Sequence, residues 1–310
     1  MDCGIKQSKN NIMIFINDIR GKIICLYGPT SSNKSCMALR IASKIPSVII
    51  NADAMQVYQN TTILTAQPKY NVIKSVTHKL YNFVQVTKNF SIYDWLKSAA
   101  NIIQSVLKKQ YTPIVVGGTG LYFTCLIEGL SIIPPIPLLV KRQVQNLLKK
   151  YHHLYDALLH YDQALARKLN KNDIGRIIRG LEVKIATGQS ILTWHRNTYP
   201  LFSRKILKNI YIKLDRKIVY DSIEIRFRKM IQKGVIDEVR KLLQRHDVYI
   251  APKIIGLESI NNYLQGCYSY EQMVLEVHKL TKNYAKRQYT WFNNQLSHDL
   301  VIEKQYCDIY

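Results

Sequence analysis

Short β-branched runs alternate along this chain with longer stretches whose apolar positions recur every three or four residues. Residues 22–27 (KIICLY), 47–51 (SVIIN) and 113–116 (PIVV) each read as a buried strand bounded by turn residues. Between the second and third of these, Ile92, Trp95, Leu96, Ala99, Ile102, Ile103 and Val106 fall on one helical stripe. Such alternation predicts a parallel sheet with helices on both faces, and ligands bind at the carboxyl ends of its strands. Pro134-Pro135-Ile136-Pro137 interrupts the pattern. Beyond it the spacing is helical over 138–151, 154–160, 163–169 and 175–186. A strand over 210–214 returns to the sheet, followed by helices over 217–232, 236–245 and 270–292. The expected domains are a sheet core of 21–131 and 206–310 and a helical insertion of 132–205. Residues 1–20 read as a weakly ordered extension.

The first strand runs into Gly28-Pro29-Thr30-Ser31-Ser32-Asn33-Lys34-Ser35 and then into a helical pattern. Strand–loop–helix is the context that the phosphate-loop pattern G-x-x-x-x-G-K-[ST] requires. The fold class is therefore α/β, a P-loop-type parallel sheet flanked by helices, with an all-helical insertion. Backbone N–H groups at the helix start cradle phosphate oxygens, Lys34 supplies a point charge, and the Ser35 hydroxyl is placed to ligate Mg²⁺. Asn33 stands where the pattern has a glycine in the left-handed conformation; Asn is the best substitute there, at about 1–2 kcal/mol. The loop names a ligand class, phosphate or pyrophosphate, and leaves the reaction open. A strand–turn–helix rich in small residues is the plain alternative.

Asp53, just past the second strand, suits a base, a water-mediated Mg²⁺ ligand or a turn and N-cap residue. The third strand ends in Gly117-Gly118-Thr119-Gly120 and lacks the acidic residue that holds Mg²⁺ in phosphoryl-hydrolysing proteins of this loop class. That argues against a motor or a GTPase. Thr119 offers its hydroxyl to a phosphate or a ribose, while Gly117 and Gly118 suit a tight turn.

Charge adds a partner. The 310 residues carry 44 Lys and Arg against 21 acids, a net charge of +23. Residues 141–247 hold 24 of the basic and 10 of the acidic residues, which makes the middle of the chain the expected nucleic-acid surface. A composition rich in Lys, Ile and Asn throughout is the competing explanation. Arg176 and Arg179, at i, i+3, project from one helix face, either to bracket an RNA phosphate or as solvated arginines. Lys279, Lys282 and Lys286 share a face with Arg287 adjacent, beside an aromatic stripe of Tyr284 and Trp291 with Gln288. Lys282, Lys286 and Arg287 are accordingly candidates for RNA contact. The six cysteines show no C-x-x-C pair and point to a reducing compartment. No run approaches the ~20 apolar residues that span a bilayer, so the expected location is the cytoplasm, without a membrane.

Several segments then fall into a recognisable order. Beside the phosphate loop stand Asp53-Ala54-Met55-Gln56-Val57-Tyr58, Thr65-Ala66-Gln67-Pro68 and Val116-Gly117-Gly118-Thr119-Gly120-Leu121-Tyr122. After them come Asn172-Asp173, Arg176, Arg179 with Leu181-Glu182-Val183, Ile255-Gly256, Tyr284-Ala285-Lys286-Arg287-Gln288 and Thr290-Trp291-Phe292. Over about residues 22–295 this set resembles the tRNA dimethylallyltransferases (tRNA isopentenyltransferases), of the bacterial type without a C-terminal zinc finger.

The resemblance implies transfer of a dimethylallyl group from dimethylallyl pyrophosphate to N6 of the adenosine immediately 3′ of the anticodon. The nucleotide-binding (ATP-type) loop would hold the donor's pyrophosphate, with no ATP consumed. Asp53 matches the family's base; Lys34, and Mg²⁺ on Ser35, would neutralise the leaving group. Thr119 corresponds to a position on the target nucleotide. Asp53, Ala54, Met55 and Gln56, then Gly175, Arg176, Ile177, Ile178 and Arg179, and residues 252–257 correspond to segments that contact the tRNA anticodon stem-loop. Lys141 falls where an Arg is common. A monomer is expected by the same analogy. This chain departs at Asn33, at Leu64 and Gly175, at Gln67 before Pro68, and at Lys79 and Lys282. Prenylation of a free mononucleotide, a small-molecule kinase and a non-catalytic tRNA-binding protein are the competing functions.

Overall fold

The structure, a computed structural model, describes residues 18–303 except 152 and 245–252. Most of the 1–20 extension and part of the 252–257 segment lie outside the described residues. Two compact units emerge, residues 1–127 with 202–310 and residues 128–201.

The first unit contains six parallel strands among the described residues: β1 (Ile23–Tyr27), β2 (Ser47–Asn51), β3 (His78–Lys79), β4 (Thr112–Gly117), β5 (Leu207–Ile212) and β6 (Leu300–Ile302). Their order is β3-β2-β4-β1-β5-β6, with Cys25 of β1 level with Val115 of β4 and Asn209 of β5. All five residues of β1 are buried, as expected of a central strand covered on both faces. The helices of this unit before the insertion are α1 (Lys34–Ala42), α2 (Tyr70–Ser75), α3 (Ile92–Lys108) and α4 (Gly120–Glu128). The second unit is built from α5 (Leu138–Lys150), α6 (Leu154–Tyr161), α7 (Gln163–Ala166), α8 (Ile174–Thr187) and α9 (Ile191–Arg196). The first unit resumes with α10 (Arg216–Gln232), α11 (Val235–Gln244), α12 (Leu257–Leu264) and α13 (Tyr270–Gln295).

Local signals account for the well-formed helices. Ser91 starts α3 with a capping box to Asp94, and Ser269 starts α13 with one to Gln272. Trp95, Leu96, Ala99, Ile103 and Val106 are the buried face of α3. One core cluster joins Ile24, Leu26, Ile49, Ile114 and Ile210 of the sheet to Ala38 of α1 and Tyr289 of α13. A second, in the same unit, joins Phe227 and Met230 of α10 to Val239, Ile260, Met273 and Val277. The helical unit has its own core of Val144, Leu158, Leu165, Ile177 and Leu181.

Three features depart from the sequence expectation. Strand β5 begins three residues earlier than the expected 210, because polar Asn209 is fully buried and satisfied: its N–H donates to Asp299 (2.7 Å) and its amide to Ser297 O (3.1 Å). Strands β3 and β6 are too short and polar to leave a periodic signal. Residues 202–205 go with the sheet unit: Phe202 is buried, and the Arg204 guanidinium bonds Leu207 O (3.0 Å) and Asp299 (2.7 Å). Residues 128–131, expected in the core, belong to the helical unit.

Candidate active site

The phosphate loop closes between β1 and α1 through two left-handed residues, Ser31 (φ 60°) and Asn33 (φ 63°, ψ 23°). Asn33 thus takes the conformation that a glycine would supply without strain. Lys34 Nζ donates to Pro29 O (2.6 Å) and reaches Ser32 Oγ (3.5 Å), so the ammonium is folded over the loop. Burial lowers its pKa to about 7, with Arg226 pushing the same way and Asp53 opposing. The Ser31 hydroxyl is buried without a hydrogen-bond partner.

Across from the loop, the end of β2 turns sharply. Asn51 Oδ1 accepts from the Asp53 N–H (2.9 Å), and Asp53 Oδ1 accepts from the Met55 N–H (2.9 Å). Burial raises the Asp53 pKa above the usual carboxylate range, against the opposing pull of the Met55 N–H, Lys34 and Arg226. The β4 end is locked beside it. Thr119 Oγ1 accepts from the Ala54 N–H (2.9 Å), and Tyr284 shares side-chain hydrogen bonds with Thr119 and Gln288. Gln288, on α13, accepts from the Thr30 N–H (2.8 Å) and donates to Gly118 O (2.7 Å), tying the phosphate loop to the β4 turn. The turn needs its glycines for close approach. A Cβ on Gly117 would lie 2.1 Å from Ala52 O, and one on Gly118 2.2 Å from Gln288 Nε2.

These groups surround a cavity of about 410 Å³. Its lining has a polar set, including Thr30 to Ser35, Asp53 and Arg226, and an apolar set, including Leu64, Phe227, Met230 and Val277, which belongs to the second core cluster. Ser35 lies on this cavity as the one candidate Mg²⁺ hydroxyl from the motif; no cluster of three His, Cys, Asp or Glu occurs among the described residues. Sequence reasoning does not single out Arg226 or Tyr81, both of which line the cavity. Arg226 is one of many basic residues on an amphipathic helix, and no local pattern marks it.

The structure brings Gly28 through Ser35, Asp53 and Thr119 to one end of the sheet, with Ala54, Met55 and Gln56 between the last two. Gln56 is engaged already: its amide donates to Thr65 O (2.8 Å) and Ala66 O (3.1 Å). Lys282 is paired with Glu224 (2.6 Å), which competes with RNA for its charge. Lys286 and Arg287 are exposed, the Arg287 guanidinium lying 5.7 Å from the Tyr284 ring centroid. In the helical unit, Lys141, Gly175, Arg176 and Arg179 are exposed and Ile178 is half-buried. Arg176 pairs with Asp173 (3.3 Å) and Arg179 with Glu182 (3.6 Å). Ile177 is a correction: it is fully buried in the helical core, so its side chain has no surface to offer RNA.

A parallel sheet whose first strand feeds a phosphate loop, with a buried carboxylate at the next strand end, defines a P-loop-fold protein. Residues 56–295 match the model of a family described as IPP transferase. The chain is 38% identical over 278 residues to a tRNA dimethylallyltransferase of Nitrobacter hamburgensis, covering 88% of each. It is 36% identical over 298 residues to the tRNA dimethylallyltransferase of Pelagibacter ubique, covering 94% of this chain and 95% of that one. Among solved structures, the tRNA isopentenylpyrophosphate transferase of Bacillus halodurans superposes with a TM-score of 0.64 at 27% identity, covering 91% of this chain and 89% of that one. A eukaryotic dimethylallyltransferase acting on tRNA shares the fold with a TM-score of 0.76 at 22% identity, covering 87% of this chain and 69% of that one. This chain belongs to the IPP transferase family.

Proposed function

We propose that the protein transfers a dimethylallyl group from dimethylallyl pyrophosphate to N6 of the adenosine immediately 3′ of the anticodon in tRNA, giving N6-isopentenyladenosine and pyrophosphate. The observation that carries this reading is a single cavity lined by a phosphate loop, an apolar wall and a buried carboxylate of raised pKa. The loop N–H groups, Lys34 and Arg226 receive the pyrophosphate, and the apolar wall receives the hydrocarbon. The N6 lone pair attacks C1 of the donor; the C1–O bond breaks and its electron pair leaves with pyrophosphate. The N6 proton passes to the Asp53 carboxylate, whose raised pKa makes it a better acceptor than an exposed carboxylate. Fixed positive charge at the loop stabilises the leaving group where water is excluded.

Mg²⁺ fits the Ser35 hydroxyl together with pyrophosphate oxygens, since this ion is commonly held by few protein ligands plus phosphates. The chemistry it supplies when bound is neutralisation of the leaving group. Thr119, fixed by the Ala54 N–H and Tyr284, orients the target nucleotide. Lys141, Arg176, Arg179, Lys286 and Arg287 contact the anticodon stem-loop phosphates and offset the few kcal/mol of unstacking the adenosine. No helix among the described residues is long and apolar enough to cross a membrane. The protein acts as a monomer in the cytoplasm, where unmodified tRNA is found.

The test is incubation with dimethylallyl pyrophosphate, Mg²⁺ and unmodified tRNA, followed by mass spectrometry of the digested nucleosides. The expected product is an adenosine heavier by one dimethylallyl group. Retained tRNA binding with unchanged adenosine would instead identify a non-catalytic tRNA-binding protein. Prenylated AMP with unchanged tRNA would identify a mononucleotide enzyme.

A further inference from the structure

The apolar wall of the cavity has one member whose position is fixed from three sides. Leu64 lines the cavity, is only 8% exposed, and packs in the cluster of Phe227, Met230, Ile260 and Val277. Its backbone is stapled to α11: Glu238 accepts from the Leu64 N–H (2.8 Å), the Ile63 N–H (2.8 Å) and the Thr62 hydroxyl (2.9 Å). On the other side of the same segment, Gln56 holds Thr65 O and Ala66 O. Behind the side chain stands Gly256, so close that a Cβ there would lie 3.3 Å from Leu64 Cδ1 and 3.6 Å from Val277 Cγ1. The Leu64 side chain is therefore unable to retreat when hydrocarbon presses on the wall. A stop of this kind discriminates by length, because extra methylenes meet a closely packed interior that yields only at the cost of strain.

We infer that Leu64, held by the Glu238 staple, is the residue that limits the donor to a single isoprene unit and excludes longer allylic pyrophosphates. The inference rests on the proposed prenyl transfer for its substrate class, and its own content is the length limit. Leu64 is a specificity residue of the donor cavity; Glu238 is a positioning residue that acts through the 62–64 backbone. Shortening Leu64 opens space at the wall while leaving the phosphate loop and Asp53 unaltered. Releasing Glu238 lets the same wall give way without removing any of its atoms.

Two measurements on Leu64→Ala and Glu238→Gln test this. In one tube, dimethylallyl and geranyl pyrophosphate compete for transfer to tRNA, and mass spectrometry reads the ratio of ten-carbon to five-carbon product. The ratio is internal, so a loss of folded protein cancels. Leu64→Ala is expected to raise it by about tenfold or more, within the range that one or more methylenes command in an apolar pocket, and Glu238→Gln by a smaller factor. Equilibrium binding of the two pyrophosphates, measured without tRNA by calorimetry, is expected to shift in the same direction. A ratio that Leu64→Ala leaves unchanged in both measurements overturns the length limit, even if transfer itself is robust. If wild type transfers neither group but the binding ratio shifts, the length limit stands and the transfer reading falls. A wild type that binds neither pyrophosphate overturns both.

Discussion

The sheet unit and the helical unit hold their candidate functional residues in opposite ways. In the first, Lys34, Asp53, Thr119 and Gln288 come from segments far apart in the chain, and the loop, the β2 end and the β4 turn are tied to one another by hydrogen bonds between segments. The pKa values of Lys34 and Asp53 are moved mainly by burial. In the second, Arg176 and Arg179 lie one turn apart on a single helix, exposed, each paired with a carboxylate three residues away. Exposed pairs of that type contribute about 0–1 kcal/mol and exchange readily for a better anion. Bond-making chemistry requires groups prepositioned out of water. Recognition of a hydrated polyanion requires charges that water has not been made to leave. One chain meets both demands by building two cores of different kinds.

Removal of the buried carboxylate should separate the two regions most sharply. Asp53→Ala is expected to lower kcat by about 10²-fold or more, the range for a positioned base, with tRNA affinity changed by less than about threefold. Asp53→Asn should also abolish the acid limb of the rate profile. Because Asp53 works deprotonated and its pKa is raised, the wild-type rate should climb with pH through a limb above the ordinary carboxylate value of about 3.9. Collapse of tRNA binding in either variant would move Asp53 from chemistry to recognition.

The converse experiment is Arg176→Ala with Arg179→Ala. Affinity for tRNA should fall by about tenfold, and the log–log salt slope should flatten by about 0.7 for each arginine–phosphate pair removed. The rate at saturating tRNA should stay within about a factor of two. A large fall in that rate with unchanged affinity would show that these arginines serve the reacting groups.

Lys34 supplies a subtler test. With a pKa near 7 it is mostly neutral at pH 8 in the free protein, and a bound pyrophosphate favours its charged form. Donor binding at pH 8 should therefore take up nearly one proton, and affinity should rise as pH is lowered from 8 towards 7. Calorimetry in buffers of different ionisation enthalpy reads that uptake, and Lys34→Met should abolish it. Equal heats across buffers for the wild type would contradict the assignment.

The smallest effect is expected at Asn33→Gly. Relief of left-handed strain is worth about 1 kcal/mol and is partly cancelled by the added freedom of the unfolded chain. The donor Michaelis constant should be unchanged or lower by up to about threefold, and a large increase would assign the Asn33 side chain a contact with the donor.

Features that depend on neighbours in the chain are legible in the sequence. The stripe of α3, the continuous apolar runs of β1, β2 and β4, the phosphate loop and the position of Asp53 after a strand all follow from periodicity and turn chemistry. Even the left-handed strain at Asn33 follows from its place in the motif. The start of β5 does not, because Asn209 looks like loop until Asp299 and Ser297 are seen to satisfy it. Ile177 falls wrongly among the RNA-facing residues for a related reason: a helical segment fixes which positions share a face, and only the packing of α6 and α7 decides which face is inside.

Length, charge, the order of motifs and the amphipathic stripes belong to the one-dimensional chain, because propensity and spacing act over a few residues. The pairing of Thr30 with Gln288 across 258 positions, the entry of Arg226 into the cavity and the immobilisation of Leu64 by Glu238 belong to the folded molecule. Burial, charge coupling and steric confinement are sums over segments that meet only after folding. No local pattern carries them, and in this protein they decide how the donor cavity holds its charge and where its apolar wall ends.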